Sequence, residues 1–312
     1  MSTMTRRKFM SRGGAAVVAI AGNGVVASGA MAMPRASLRM EGDEAASGNQ
    51  AAILYDSTLC IGCRACELAC NEQNELGRTS DEIFAGCSSQ DQRALGPDVL
   101  SCITQHEDGA DPSKVAFGKA QCMHCLDPAC ASVCPVRAME KTSEGPVVWH
   151  SELCLGCRYC MLACPFEVSR FEWGSPNPRI RKCTMCHERI REGGRPACVE
   201  ICPSGALAFG SREELLLEAR RRVAERPREY VHHVYGEREA GGTTVLHLAA
   251  RPFGELGYKA DLPEVSPVAG TRPAMAAIPF VLNGLALFLG ASAWLTRRKG
   301  RLPPLSSEEE EK

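Results

Sequence analysis

Sixteen of the eighteen cysteines in this 312-residue chain fall into four groups of four. Cys60, Cys63, Cys66 and Cys70 are spaced C-x2-C-x2-C-x3-C, and Cys154, Cys157, Cys160 and Cys164 repeat that spacing. Cys122, Cys125, Cys130 and Cys134 widen the middle gap to four residues, and Cys183, Cys186, Cys198 and Cys202 widen it to eleven. Every group opens with x2 and closes with x3, so one unit is used four times. Proline follows the last cysteine in three groups, as Pro135, Pro165 and Pro203. The chemistry this spacing serves is the [4Fe–4S] cluster. Three cysteines on a tight loop reach three corners of one iron–sulfur cube, and the fourth reaches the other cluster of a pair. The fourth cysteine is expected to begin a helix running away from its own loop, with proline in the first turn where no N–H is needed. A structural zinc site would need only two C-x2-C pairs and gives no reason for a third cysteine, a fourth and then proline. Disulfides within C-x2-C-x2-C would be strained.

The elements that position these groups can be read in outline. After Cys134, residues 135–138 read as a short helix and residues 146–150 as a strand, before the chain re-enters a cysteine loop at Cys154. That is the order of a bacterial two-cluster ferredoxin, so groups two and three are expected to pair, leaving groups one and four to pair with each other. The fold class expected is α+β, with two pseudo-symmetric bacterial 2x[4Fe-4S] ferredoxin-like modules within residues 52–210. Residues 71–121 read as an irregular insertion rich in Gly, Ser and Asp. Residues 204–209 repeat helix then strand, and 211–226 read as a helix with Ser211 as N-cap and Glu213 and Glu214 in its first turn. Residues 227–272 read as an extended connector, so 211–272 is helix plus connector.

Both ends look like addresses. Thr5-Arg6-Arg7-Lys8-Phe9-Met10 is a twin-arginine pattern, followed by an apolar stretch and by Ala30-Met31-Ala32 as a cleavage site, so residues 1–32 read as an export signal. Residues 274–296 read as one transmembrane helix, since about 20 apolar residues span a bilayer core. Arg297, Arg298 and Lys299 open a tail, 297–312, expected in the cytoplasm. The body is then expected on the periplasmic face of the inner membrane. A net charge of −1 offers nothing to nucleic acid. No Gly-rich nucleotide fingerprint or nucleophile elbow is present, and a self-contained iron–sulfur enzyme is disfavoured because every ligand position is filled.

In this order the four groups resemble the four-cluster ferredoxin subunits of the dimethyl-sulfoxide-reductase type. Residues 54–60 (LYDSTLC), 121–125 (QCMHC), 157–161 (CRYCM) and 235–239 (YGERE) further resemble the iron–sulfur subunits of membrane-bound uptake [NiFe] hydrogenases of the hydrogenase-2 type. The resemblance spans nearly the whole chain. It implies four [4Fe–4S] clusters: Cys60, Cys63 and Cys66 with Cys202; Cys183, Cys186 and Cys198 with Cys70; Cys122, Cys125 and Cys130 with Cys164; and Cys154, Cys157 and Cys160 with Cys134. It implies an electron relay without catalysis of its own, between the small and large hydrogenase subunits and an integral membrane quinone-interacting subunit. The same wire in a formate dehydrogenase or molybdopterin oxidoreductase is the alternative. Two features depart from the pattern: Asn71, not proline, follows Cys70, and Cys87 and Cys102 are surplus, with a disulfide between them left open. Arg64, Arg158 and Lys182 could raise cluster potentials, although such residues are more often solvated surface. His124 and His187 adjoin cysteines but are not needed as ligands.

Overall fold

The structure, a computed structural model, describes residues 50–85, 94–107, 115–175 and 178–298. The twin-arginine segment, Cys87, Lys299 and the acidic tail lie outside the described residues. In chain order the elements are β1 (Ala51–Asp56), α1 (Ala65–Gln73), α2 (Ser80–Phe84), β2 (Ser101–Glu107), β3 (Val115–Gln121), α3 (Ala129–Ser132), β4 (Met139–Lys141), β5 (Val147–Trp149), α4 (Tyr159–Ala163), β6 (Arg170–Phe171), β7 (Ile180–Arg181), α5 (His187–Arg191), α6 (Ala197–Glu200), β8 (Leu207–Ser211), α7 (Arg212–Glu225), β9 (Val245–Leu248) and α8 (Pro267–Arg298).

A three-stranded sheet in the order β8-β1-β9 organises the body. β1 runs antiparallel to β8, with Ala51 opposite Ser211, and parallel to β9, with Ile53 opposite Val245. The two-residue period of β1 divides its faces. Ala52 and Leu54 pack with Leu215 and Ala219 of α7, while Ile53 and Tyr55 pack with Cys66, Met185 and Cys198. The sheet is thus a wall, helix on one side and cysteine loops on the other. α7 starts on a capping box, in which the Ser211 hydroxyl accepts from the Glu214 N–H and the Glu214 carboxylate accepts from the Ser211 N–H. It is tied to the sheet end where Arg222 meets the buried Asp56 at 3.0 Å and the Tyr230 hydroxyl donates to the same carboxylate at 2.8 Å.

Three sequence expectations are corrected. The helices do not begin at the fourth cysteine of a group. α3, α4 and α6 carry the third cysteine (Cys130, Cys160, Cys198) and end before Cys134, Cys164 and Cys202. The prolines that follow are stop signals, because proline disfavours helical geometry in the residue before it. Residues 135–138 are therefore a turn, and no helix forms at 204–206. Where Asn71 replaces proline, α1 runs through Cys66 and Cys70 to Gln73. Second, the described part of the insertion holds paired strands: β2 and β3 pair antiparallel from Ser101 opposite Gln121 to Glu107 opposite Val115. Third, the connector contributes β9 and a packed aromatic group of the buried Tyr235 and Phe253 with the half-buried Tyr258.

α8 is 32 residues long, with Pro273 and Pro279 inside it. It is the one described helix long and apolar enough to cross a membrane, and none of its apolar window is buried. Its start is fastened to the loop between Cys125 and Cys130, where Asp127 receives Arg272 at 2.8 Å and the Ser266 hydroxyl at 2.8 Å.

Candidate metal centres

The x2 loop that opens each group is bent the same way. Its second intervening residue is left-handed in all four, as Gly62 (φ 69), His124 (φ 49), Gly156 (φ 68) and Met185 (φ 57). Glycine takes that conformation freely, whereas His124 and Met185 must be held in it by burial. Gly62 has a second constraint, since a Cβ there would lie 2.3 Å from the Phe117 ring.

The loops and helices bring the expected quartets together. Cys60, Cys63, Cys66 and Cys202 line one small pocket together with Tyr55 and Ile103. Cys154, Cys157, Cys160 and Cys134 line another, beside Met139 and Trp149. Cys125 lies within electrostatic reach of Cys122, Cys164 and Cys130. Cys183 faces Cys70 and Cys198, and Cys70 faces Cys198 and Cys186. This cross-over follows from packing: α1 rests on α6, and α3 on α4. Neighbouring quartets lie within electrostatic reach of each other: Cys66 and Cys202 of Cys198, Cys183 of Cys122, and Cys130 of Cys160. Cys63 and Cys157, in the two outer quartets, are the exposed thiols among the described cysteines. Cys102 is buried on β2, opposite Ala120, and belongs to no quartet.

Burial pushes Cys66 up to about 11 against the opposing Lys119 charge, and burial followed by the neighbouring Cys154 and Cys157 pushes Cys160 up to about 11. Burial followed by the neighbouring Cys198 moves Cys70 to about 12, and at Cys130 the Lys182 charge opposes burial and the thiol still reaches about 12. Such sulfurs keep their protons until a metal displaces them. Three buried or half-buried cations stand among them. Lys182 donates to the Val147 carbonyl at 2.5 Å and the Cys183 carbonyl at 3.2 Å. Lys141, lowered to about 8 by burial, faces Cys125 and Cys122. Lys119, on β3, is 1% exposed and faces Cys66, Cys198 and Cys70.

The residues present fit [4Fe–4S] clusters. Among the described residues no three His, Cys, Asp or Glu side chains converge on a single-ion position. Free thiols gathered in quartets, none of them closing on a single-ion position, suit a cube of four irons better than one zinc ion. His124 also carries an unsatisfied buried donor. Its Nδ1 accepts the Val147 N–H at 2.8 Å, which leaves the proton on Nε2, and that atom is buried without a protein partner. Of the other residues singled out from sequence, Arg64 is buried and donates to the Ala85 carbonyl at 3.2 Å at the end of α2. Arg158 stacks over Phe171 and Trp173, 5.4 and 4.9 Å from the ring centroids. His187 pairs with Glu144 at 3.3 Å. Lys119 was not singled out from sequence.

The profile of a 4Fe-4S dicluster domain matches residues 113–212. A protein of Nitratidesulfovibrio vulgaris (strain Hildenborough) is 41% identical over 251 residues, covering 80% of this chain and 68% of the relative. The hydrogenase-2 operon protein HybA of Escherichia coli O157:H7 is 37% identical over 278 residues, covering 78% of this chain and 82% of the relative. The iron-sulfur subunit of the nitrate-inducible formate dehydrogenase of E. coli K12 is 35% identical over 221 residues, covering 69% and 71%.

Proposed function

Because the chain belongs to the family of ferredoxin-type iron–sulfur electron-transfer subunits that includes HybA and the formate dehydrogenase iron–sulfur subunits, we propose that it is the electron relay of a membrane hydrogenase complex. It carries [4Fe–4S] clusters and is not catalytic alone. The carrying observation is the unbroken series of quartets, from the Cys60 set through the Cys183 and Cys122 sets to the Cys154 set. Each set would hold one cluster, four in all, in two ferredoxin-like modules related by pseudo-symmetry. Bound clusters supply one-electron carriers. The chain's own part is to keep the two inner sets dry and to bring one sulfur of each set close to the next.

The two ends differ from the middle in exposure. Cys63 sits near the exposed Ile61, and Cys157 near the exposed Leu155, Tyr159 and Leu162. Apolar rims around an otherwise charged surface suit docking of neighbouring subunits. One end would meet the hydrogenase small subunit of the small–large pair, and the other an integral quinone-interacting subunit. In this reading residues 1–32 are an export signal, 52–210 hold the clusters, and 211–272 link them to α8. The span within α8 is 274–296, which anchors the cluster domain at the periplasmic face of the inner membrane with 297–312 in the cytoplasm. Protease added to spheroplasts would then digest the cluster domain and spare a C-terminal tag; the reverse pattern rejects the orientation. Deleting the chain should leave H2-dependent dye reduction by the hydrogenase pair intact and abolish H2-dependent quinone reduction in membranes. Survival of quinone reduction would reject the relay. The second reading, a formate dehydrogenase subunit, is favoured by the 35% identical relative and would be supported if formate-dependent quinone reduction were lost instead.

A further inference from the structure

The chain uses arginine 28 times and lysine only eight times. Four of those lysines fall within the described residues, and three of the four, Lys119, Lys141 and Lys182, stand among the cysteine quartets; Lys259 does not. Among the described residues arginine is mostly on the outer surface, as in the pairs of α7 where Arg221 bridges Glu218 and Glu225, with Arg64 a buried exception. Beside the quartets the charge is a compact ammonium on a flexible stem, which can be enclosed in a small space.

Lys119 is the most enclosed of the three. β3 lies opposite β2 with Lys119 facing Ile103, and the Ile103 N–H donates to the Glu67 carboxylate at 2.7 Å. Glu67 is 3% exposed and lies on α1 between Cys66 and Cys70. The Lys119 ammonium donates to the Ser101 hydroxyl and faces Cys66 and Cys70 on α1 and Cys198 on α6. Its backbone is fixed as well, since the Tyr258 hydroxyl accepts from the Lys119 N–H at 2.8 Å and donates to its carbonyl at 3.2 Å. One buried cation and one buried anion therefore occupy the junction of two quartets, the Cys60 set and the Cys183 set.

Resting on the relay reading above, we propose that Lys119 and Glu67 are an opposed charge pair that sets the reduction potentials of the clusters held by the Cys60 and Cys183 sets. Gaining an electron makes a cluster more negative. A fixed buried cation stabilises that form and raises the potential, and a fixed buried anion lowers it, with little screening from water. The other two sets lie beyond Cys122 and feel the pair less. Lys119 is a positioning residue for electrons: it touches ligand-bearing elements and takes no part in a bond change.

The test uses the full chain in its native complex, with iron and acid-labile sulfide measured first and the four potentials then taken by spectroscopically monitored redox titration. In Lys119→Met two potentials should fall, each by a change of order tenfold in the reduced-to-oxidised ratio, about 59 mV for a one-electron couple, while two hold. Lys119→Arg should restore most of the fall. Glu67→Gln, which keeps an acceptor for the Ile103 N–H, should shift the same two potentials upward. Should Lys119→Met lose a cluster, the upward shift in Glu67→Gln alone decides. Four unmoved potentials in a fully loaded variant, or four equal shifts, overturn the proposal. A wild-type chain without acid-labile sulfide would overturn the relay reading beneath it.

Discussion

Gly62 and Gly156 occupy equivalent places in two cysteine loops and have nearly the same backbone, at φ 69 and φ 68. Alanine at either position must adopt the left-handed conformation, at a cost of about 1–2 kcal/mol. Their surroundings differ. A Cβ on Gly156 would meet only Phe171, at 3.9 Å, whereas on Gly62 it would lie 2.3 Å from Cε1 and 2.4 Å from Cζ of Phe117. Carbon atoms rest about 3.5–4.0 Å apart, so the Phe117 ring must move by more than about 1 Å. The backbone cannot follow easily, because the Phe117 carbonyl accepts from Tyr55 at 2.9 Å and Ser57 at 2.7 Å. Overpacking of this kind adds about 1–3 kcal/mol. Gly156→Ala should therefore cost about 1–2 kcal/mol, and Gly62→Ala about 2–5 kcal/mol. The assay is the rate of unfolding in denaturant of the cluster-loaded chain, followed by visible absorbance, since loss of clusters makes unfolding irreversible. The extra strain should speed Gly62→Ala over Gly156→Ala by roughly five- to 150-fold if it is released in the transition state. In a Phe117→Ala background the two glycine variants should become alike. Equal rates with Phe117 present, or a gap unchanged by its removal, would refute the argument.

Two further outcomes are expected. His247 is fully buried, with Nδ1 3.0 Å from the Tyr258 hydroxyl, and burial followed by the Lys119 charge lowers it from 6.5 to about 3. The unfolded state then binds the proton more readily. Stability from this group is complete above its ordinary value and is lost as pH falls toward the folded one, by up to about 1.4 kcal/mol per pH unit. His247→Gln should flatten unfolding rates over that window; an unchanged acid slope would show that other groups carry it. Asn71→Pro copies the residue found after the other closing cysteines, but here α1 continues to Gln73, and Asn71 exchanges bonds of 2.9 and 3.1 Å with the Arg78 backbone. It should cost about 3 kcal/mol in denaturant resistance, and a neutral result would mean that α1 ends at Cys70.

The cysteine pattern was legible in sequence because ligand spacing is a local property. The distance from Cys60 to Cys63 is set by two intervening residues, and the left-handed turn at Gly62 or Gly156 is announced by glycine. The cap of α7 was equally local, resting on Ser211 and Glu214 three residues apart. The prolines after Cys134, Cys164 and Cys202 were visible too, but read as helix starts; the rule that proline restricts its predecessor is what prevails, and Asn71 shows the result where it is lifted. Tertiary structure decided what depends on partners far along the chain. β2 and β3 carry alternation too weak to mark a hairpin, and β9 becomes a strand because β1 offers it a free edge. Lys119 looks like any surface lysine until the register of β2 with β3 encloses it. The sixteen thiols are written in the sequence, but which sulfur of one quartet lies beside the next is decided by α1 on α6 and α3 on α4, because side-chain burial between helices is a long-range property that no local spacing encodes.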